Sequence, residues 1–171
     1  MDEQMIAKAV EAVVKQMAAE HDSKPHPCKC KRHKMTLSLA KAIIEKIERR
    51  AEEMGLAVVI AVSDAAGRLT AVHCMDGAYI ASYDVAVNKT FTAAGLKMST
   101  AKLAQLSQPG QPLYGIQHTN GGKIVIFGGG EPLETEGKII GALGVSGGSA
   151  EEDTALAAYG RDIFKEVIAC Q

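Results

Sequence analysis

Residues 56–74 read LAVVIAVSDAAGRLTAVHC. The β-branched-rich run over 56–63 predicts a strand. Asp64-Ala65-Ala66-Gly67 then supplies turn chemistry, an aspartate that can bond nearby backbone and a glycine that tolerates a left-handed conformation. Residues 68–74 return as a second strand, so the segment is a hairpin and the sheet it belongs to is antiparallel. Upstream, Thr36 can cap a helix whose apolar stripe is Leu39, Ile43, Ile47, Ala51 and Met54, with Gly55 at the left-handed stop. Downstream, Asp76 is read as the cap of a helix reaching about Ala94, with Gly95 ending it. Ser99 opens another short helix that Pro109 stops.

Turn residues crowd the next segment, Gln108-Pro109-Gly110 and then Asn120-Gly121-Gly122. A short strand is predicted over 124–127, followed by Gly128-Gly129-Gly130 and Pro132. A further strand over 138–145 carries Gly141 and Gly144, where something approaches the backbone closely. Ser149-Ala150-Glu151-Glu152 is a capping box, and Leu156, Tyr159, Ile163 and Val167 are the inward stripe of the last helix. Helix, hairpin, two helices, three short strands and helix predict an α+β layered domain over residues 35–171.

Two segments precede that domain. Within residues 1–20, Ile6, Val10, Val13, Val14 and Met17 recur at spacings of three and four, the stripe of an amphipathic helix. Such a helix is marginal alone in water, so its stripe needs something to bury against. Residues 21–34, HDSKPHPCKCKRHK, have Pro25 and Pro27, five basic residues from Lys24 to Lys34 and no acid after Asp22, and read as a flexible basic linker. Its His26, Cys28, Cys30 and His33 lack the usual spacing of structural zinc ligands.

Composition excludes several functions. The formal net charge of −1 over 171 residues gives no global electrostatic case for nucleic acid. Aromatics make up 4% and Trp is absent, which argues against stacking platforms for single strands. The longest apolar run, residues 56–62, is far short of the roughly 18–20 needed to span a bilayer. The start Met-Asp-Glu-Gln, with Lys8, Glu11 and Lys15 breaking each apolar stretch, does not read as a secretory signal. A cytoplasmic protein is expected, with Cys28, Cys30, Cys74 and Cys170 as thiols.

The chemical motifs are few. Gly144-Val145-Ser146-Gly147-Gly148 matches the nucleophile elbow of α/β-hydrolases, but that chemistry needs a histidine after the serine, and His118 is the last in the chain. A glycine-permitted turn feeding a helix is the better reading. Gly128-Gly129-Gly130 lacks the lysine-hydroxyl pair of a phosphate loop and suggests instead a glycine floor for a flat ligand. His73-Cys74-Met75 sets three iron-ligand types in a row, although successive strand side chains face opposite ways. His118 is a second candidate ligand. Lys89, mid-helix among Val85, Ala86 and Ala93, is either a partly buried cation suited to a carboxylate such as a propionate or a snorkelling side chain at a helix edge.

Three stretches, VSDAAGRLTAVHCMDGAYIASYDVAVNKTFTAA, QPGQPLYGIQHTNGGKIVIFGGGEPL and GKIIGALGVSGGSAEEDTALAAYG, together resemble the GlcG/HbpS-type haem-binding family. That family includes the C-terminal half of PduO-type cobalamin adenosyltransferases. The resemblance runs from Met35 to about Ile168 and is most specific from Asp64 to Gly148. It implies an α/β/α layered domain with a central antiparallel sheet of about five strands flanked by helices, homo-oligomers, and haem or a related tetrapyrrole as ligand, without implying a defined reaction. Positions matching the family's motifs are Asp64, Gly67, Met75-Asp76-Gly77-Ala78, Lys89, Gly128-Gly129 with Pro132, and Gly144-Val145-Ser146-Gly147-Gly148. Relatives often carry a basic residue before Met-Asp-Gly; this chain has Cys74.

The cofactor-binding candidates are therefore His73, Cys74, His118, Lys89, Gly128 and Gly129, with His73 and His118 as the metal ligands and Cys74 third. His26 and Cys28 are an outside option. Residues 1–20 resemble the encapsulation peptides of bacterial microcompartments, which bury an amphipathic helix in a groove on a shell or cargo partner. The expectation is a haem-binding, or less readily corrinoid-binding, accessory protein: oligomeric, without catalytic residues, and carried as cargo in a microcompartment lumen. The alternative is a cofactor-free oligomeric interaction module that organises such cargo. A small-molecule enzyme using Asp76, Lys89 and the glycine loops ranks last, since no activated nucleophile or acid–base pair is visible.

Overall fold

In the computed structural model, which describes residues 34–169, the hairpin is as read. Strands β1 (Val59–Asp64) and β2 (Leu69–Cys74) pair antiparallel from Val59 opposite Cys74 to Val62 opposite Ala71. Asp64 Oδ1 accepts the backbone N–H groups of Ala66 (2.9 Å) and Arg68 (3.0 Å), and Arg68 Nε donates to Oδ2 at 3.1 Å. Burial alone would raise the Asp64 carboxyl, but these bonds hold it below its ordinary range. Gly67 takes φ 75°, which a side chain would resist.

Strands β3 (Gly130–Thr135) and β4 (Lys138–Ser146) complete an antiparallel sheet in the order β2-β1-β4-β3. Four strands are present among the described residues, against the expected five. The segment 124–127 is not a strand, because its backbone is satisfied elsewhere: Val125 N–H donates to Thr92 Oγ1 (3.0 Å), and the Thr92 hydroxyl lies 3.3 Å from the carbonyl of Lys123. With those groups held by a helix, the edge strand begins only at Gly130.

Helices cover both faces of the sheet. Helix α1 (Leu37–Glu53) starts at Thr36, whose hydroxyl accepts from Leu39 N–H at 3.1 Å, and α4 (Ala150–Ala169) starts at the capping box, with Glu152 N–H to Ser149 Oγ at 3.2 Å and Ser149 N–H to Glu152 Oε2 at 2.8 Å. Together they bury Leu39, Ile43, Ile44, Ile47, Leu156 and Phe164 against Ile60, Val62, Leu143 and Val145. Each such side chain contributes about 2 kcal/mol of transfer free energy. The inward stripe of α4 is shifted from the expected one, as Tyr159 is exposed while Gly160 and Phe164 are buried.

Helix α2 (Ser82–Leu96) lies on the other face, through a thin contact of small residues: Val59, Ala61 and Ala86, then Ala93, Ala94 and Ala142. A Cβ at Gly144 would collide with the carbonyl of Ala86, which explains that glycine. Asp76 does not cap this helix. Met75-Asp76-Gly77-Ala78 closes a tight turn instead, with Ala78 N–H to Met75 O at 3.1 Å and Gly77 at φ 85°, and α2 begins six residues after Asp76. At its other end α2 continues past Gly95, and Lys97 at φ 55° takes the left-handed stop. Ser99 caps the short α3 (Thr100–Leu106) as expected.

The helix expected over residues 1–20 and the linker over 21–34, apart from Lys34, lie outside the described residues, as do His26, Cys28, Cys30, His33 and Cys170. Among the described residues, no helix is long and apolar enough to cross a membrane.

Candidate functional site

Lys89 is the largest fully buried side chain described, with 0% exposure. From the middle of α2 its ammonium reaches the end of β4 and donates to Val145 O (2.6 Å) and to Asp153 Oδ2 (2.7 Å) in the first turn of α4. Asp153 Oδ1 accepts from Gly148 N–H at 3.0 Å, and the Phe127 ring lies 5.0 Å from the ammonium. Burial pushes the Lys89 ammonium below its ordinary value, while the hydrogen bond and charge of Asp153 oppose that shift. The lysine is thus wholly buried and already neutralised, neither snorkelling nor half-exposed.

The glycine triplet packs against this pair. A Cβ on Gly129 would stand 2.6 Å from Lys89 Nζ and 2.6 Å from Val145 O, and one on Gly128 would strike Thr154. Gly130 N–H donates to Thr100 Oγ1 at 2.8 Å. All three glycines are buried, so the turn is held from behind by α2, α3 and α4 rather than laid open as a floor. What it presents outward is Phe127, 44% exposed.

His73 has a different setting. It pairs with Ile60 across the hairpin, on the face covered by α1, and its Nδ1 lies 2.8 Å from Glu48 Oε1. The two side chains are 35% and 25% exposed. A carboxylate only accepts, so Nδ1 carries the proton of this bond, and in the neutral imidazole Nε2 presents its lone pair. Cys74 is an exposed free thiol on the opposite face, paired with Val59, as strand alternation requires. His118 is exposed on a single 3-10 turn (Ile116–His118), 3.4 Å from the Gln117 side-chain amide. The structure therefore gathers Lys89, Gly128 and Gly129 into one cluster and sets His73 in another, on the far side of the sheet.

Two partners were not foreseen. Asp153 follows directly on the capping box, and a buried lysine does demand an acid, but nothing local selects this one. Glu48 sits between the α1 core positions Ile44, Ile47 and Ala51, where it reads as a solvated charge.

Among the described residues no group of three or more His, Cys, Asp or Glu could hold a bare metal ion. A haem brings four ligands of its own and asks the protein for an axial donor, which a half-buried imidazole braced by a carboxylate supplies. The donor set thus fits a haem. A separate groove of about 290 Å³ is lined by Pro132, Glu134, Glu136, Arg161 and Lys165. Its arginine is already engaged by Glu131 (3.3 Å) and Asp162 (3.1 Å).

Comparison with known proteins agrees with this architecture. Over 133 residues the chain is 43% identical to a 15.0 kDa protein from the dhaT-dhaS intergenic region of Citrobacter freundii, covering 78% of this chain and 94% of that one. It is 44% identical over 108 residues to the corrinoid adenosyltransferase PduO of Citrobacter freundii, covering 63% of this chain but only 32% of PduO. The chain therefore matches about a third of that enzyme. A solved PduOC:haem complex superposes with a TM-score of 0.73 at 34% identity, covering 76% of this chain and 94% of that one. Residues 35–162 match the family described as haem degrading protein HbpS-like, and the chain belongs to that family.

Proposed function

We propose that this protein is a haem-binding accessory protein that forms homo-oligomers and travels as cargo into a bacterial microcompartment. The observation that carries the reading is its likeness to the PduOC:haem complex, 34% identical across 76% of the chain. In this reading His73 would hold the haem iron, since Glu48 engages its Nδ1 and Nε2 makes no hydrogen bond among the described residues. His118 is the alternative ligand, and Cys74 comes third. Lys89, Gly128 and Gly129 act from behind, fixing the turn that presents Phe127, with Lys89 meeting a propionate only if Asp153 yields. The electron chemistry belongs to the cofactor; the chain's residues bind and orient it. The amphipathic stripe in the sequence of residues 1–20 is the address, suited to a shell or cargo groove, with residues 21–34 as its linker and residues 35–171 as the binding domain.

Hemin titration of the full chain tests the ligand. The expected result is a Soret band at one hemin per chain that is lost in His73→Ala and kept in His118→Ala. Absence of any Soret shift would remove haem, and the same titration with cobalamin would then test a corrinoid. Deletion of residues 1–20 is expected to abolish co-localisation with shell proteins while leaving hemin binding intact. One observation favours a second reading, a cofactor-free interaction module: Tyr79, Ile80 and Tyr83 stand exposed at 73%, 97% and 43%.

A further inference from the structure

The Glu48–His73 contact joins two layers, from α1 to the edge strand β2, across 25 residues of sequence. With the two side chains 35% and 25% exposed, solvent weakens the contact enough that stability gives little account of it. Its geometry has a chemical consequence instead. A carboxylate accepting from Nδ1 fixes the ring orientation, fixes the tautomer and makes Nε2 a stronger donor. Within the described residues Nε2 makes no hydrogen bond, and a neighbouring acid on Nδ1 is the arrangement that metal-ligating histidines share.

We infer that Glu48 is the positioning residue for a haem-ligating His73, orienting the imidazole and setting its donor strength toward the iron. This rests on the reading above, that the chain binds haem through His73. Glu48→Gln keeps the side-chain length and an acceptor oxygen but removes the charge, so the imidazole becomes a weaker donor while its position is nearly retained. Weaker donation loosens ferric haem more than ferrous haem and moves the midpoint potential upward.

The test uses the full chain loaded with hemin, comparing wild type, Glu48→Gln and His73→Ala. It reads hemin affinity by Soret titration, the iron–histidine stretch of the ferrous form by resonance Raman, and the midpoint potential by spectroelectrochemistry. Glu48→Gln is expected to bind hemin about 10–100-fold more weakly, with a lower stretching frequency and a more positive potential. If it matches wild type in all three while His73→Ala loses the haem, Glu48 merely ties α1 to β2 and the inference is overturned. If His73→Ala keeps the wild-type spectrum, the His73 reading itself falls, and this one with it. Should Glu48→Gln fail to fold, Glu48→Asp, which keeps the charge but retracts the oxygen by one methylene, carries the same readouts with smaller shifts of the same sign.

Discussion

Replacing Lys89 by methionine keeps much of the volume and removes the ammonium, leaving Asp153 as a charge with 4% side-chain exposure. Breaking a buried ion pair by deleting one partner costs about 3–5 kcal/mol, because the remaining charge is desolvated without compensation. Two features set the value within that range. Gly148 N–H still bonds Asp153 Oδ1 at 3.0 Å, which softens the loss, while the Val145 carbonyl loses its 2.6 Å donor, which adds to it. Lys89→Met should therefore cost about 4 kcal/mol, close to a thousandfold in the folding equilibrium. With a urea slope of about 2 kcal/mol per molar, the unfolding midpoint falls by about 2 M. The double variant Lys89→Met/Asp153→Asn removes both charges and lets an amide oxygen keep the Gly148 bond. It should recover at least about 2 kcal/mol relative to additivity of the two single changes. Urea unfolding of the four proteins closes the cycle. A loss below about 1 kcal/mol in Lys89→Met, or strict additivity, would refute the view that the pair is buried and mutually compensating.

Gly129→Ala puts a methyl where Lys89 Nζ and Val145 O both lie 2.6 Å away, at φ 107°, and should cost about 3 kcal/mol. Gly137→Ala, at φ 72° with nothing within 4 Å, should cost about 1 kcal/mol; equal thermal shifts for the two would contradict the packing described. Burial raises the Glu131 carboxyl above its ordinary 4.5, against the pull of the Arg161 charge. A carboxyl raised in the folded state contributes stability that is present below its unfolded value and lost as pH climbs through its folded one. The stability of Glu131→Gln relative to wild type should therefore increase from pH 4.5 to pH 7, as followed by urea unfolding at each pH; a difference that shrinks would reverse the assignment.

What the chain alone determined is local. The Asp64–Gly67 turn, the Thr36 and Ser99 caps and the Ser149–Glu152 box are readable because each is completed by bonds within four residues, so the pattern and its partner sit in one window. Gly141 and Gly144 signalled a close approach, and the structure supplies its agents, Met35 with the Ser63 backbone and the Ala86 carbonyl. Asp76 misled for the converse reason: a cap and a turn use the same residue type, and Gly77 at φ 85° decided for the turn. The strand expected over 124–127 failed because Val125 found its acceptor 33 residues away, on Thr92.

Only the folded chain could decide the site. Lys89 and Asp153 stand 64 residues apart, Glu48 and His73 25, and no periodicity selects one acid among the 20 present. Whether a lysine is a surface cation or a buried one depends on which carboxylate the packing brings to it. Local sequence governs hydrogen bonds that close over short loops, whereas the partners of a buried charge are set by how the layers stack.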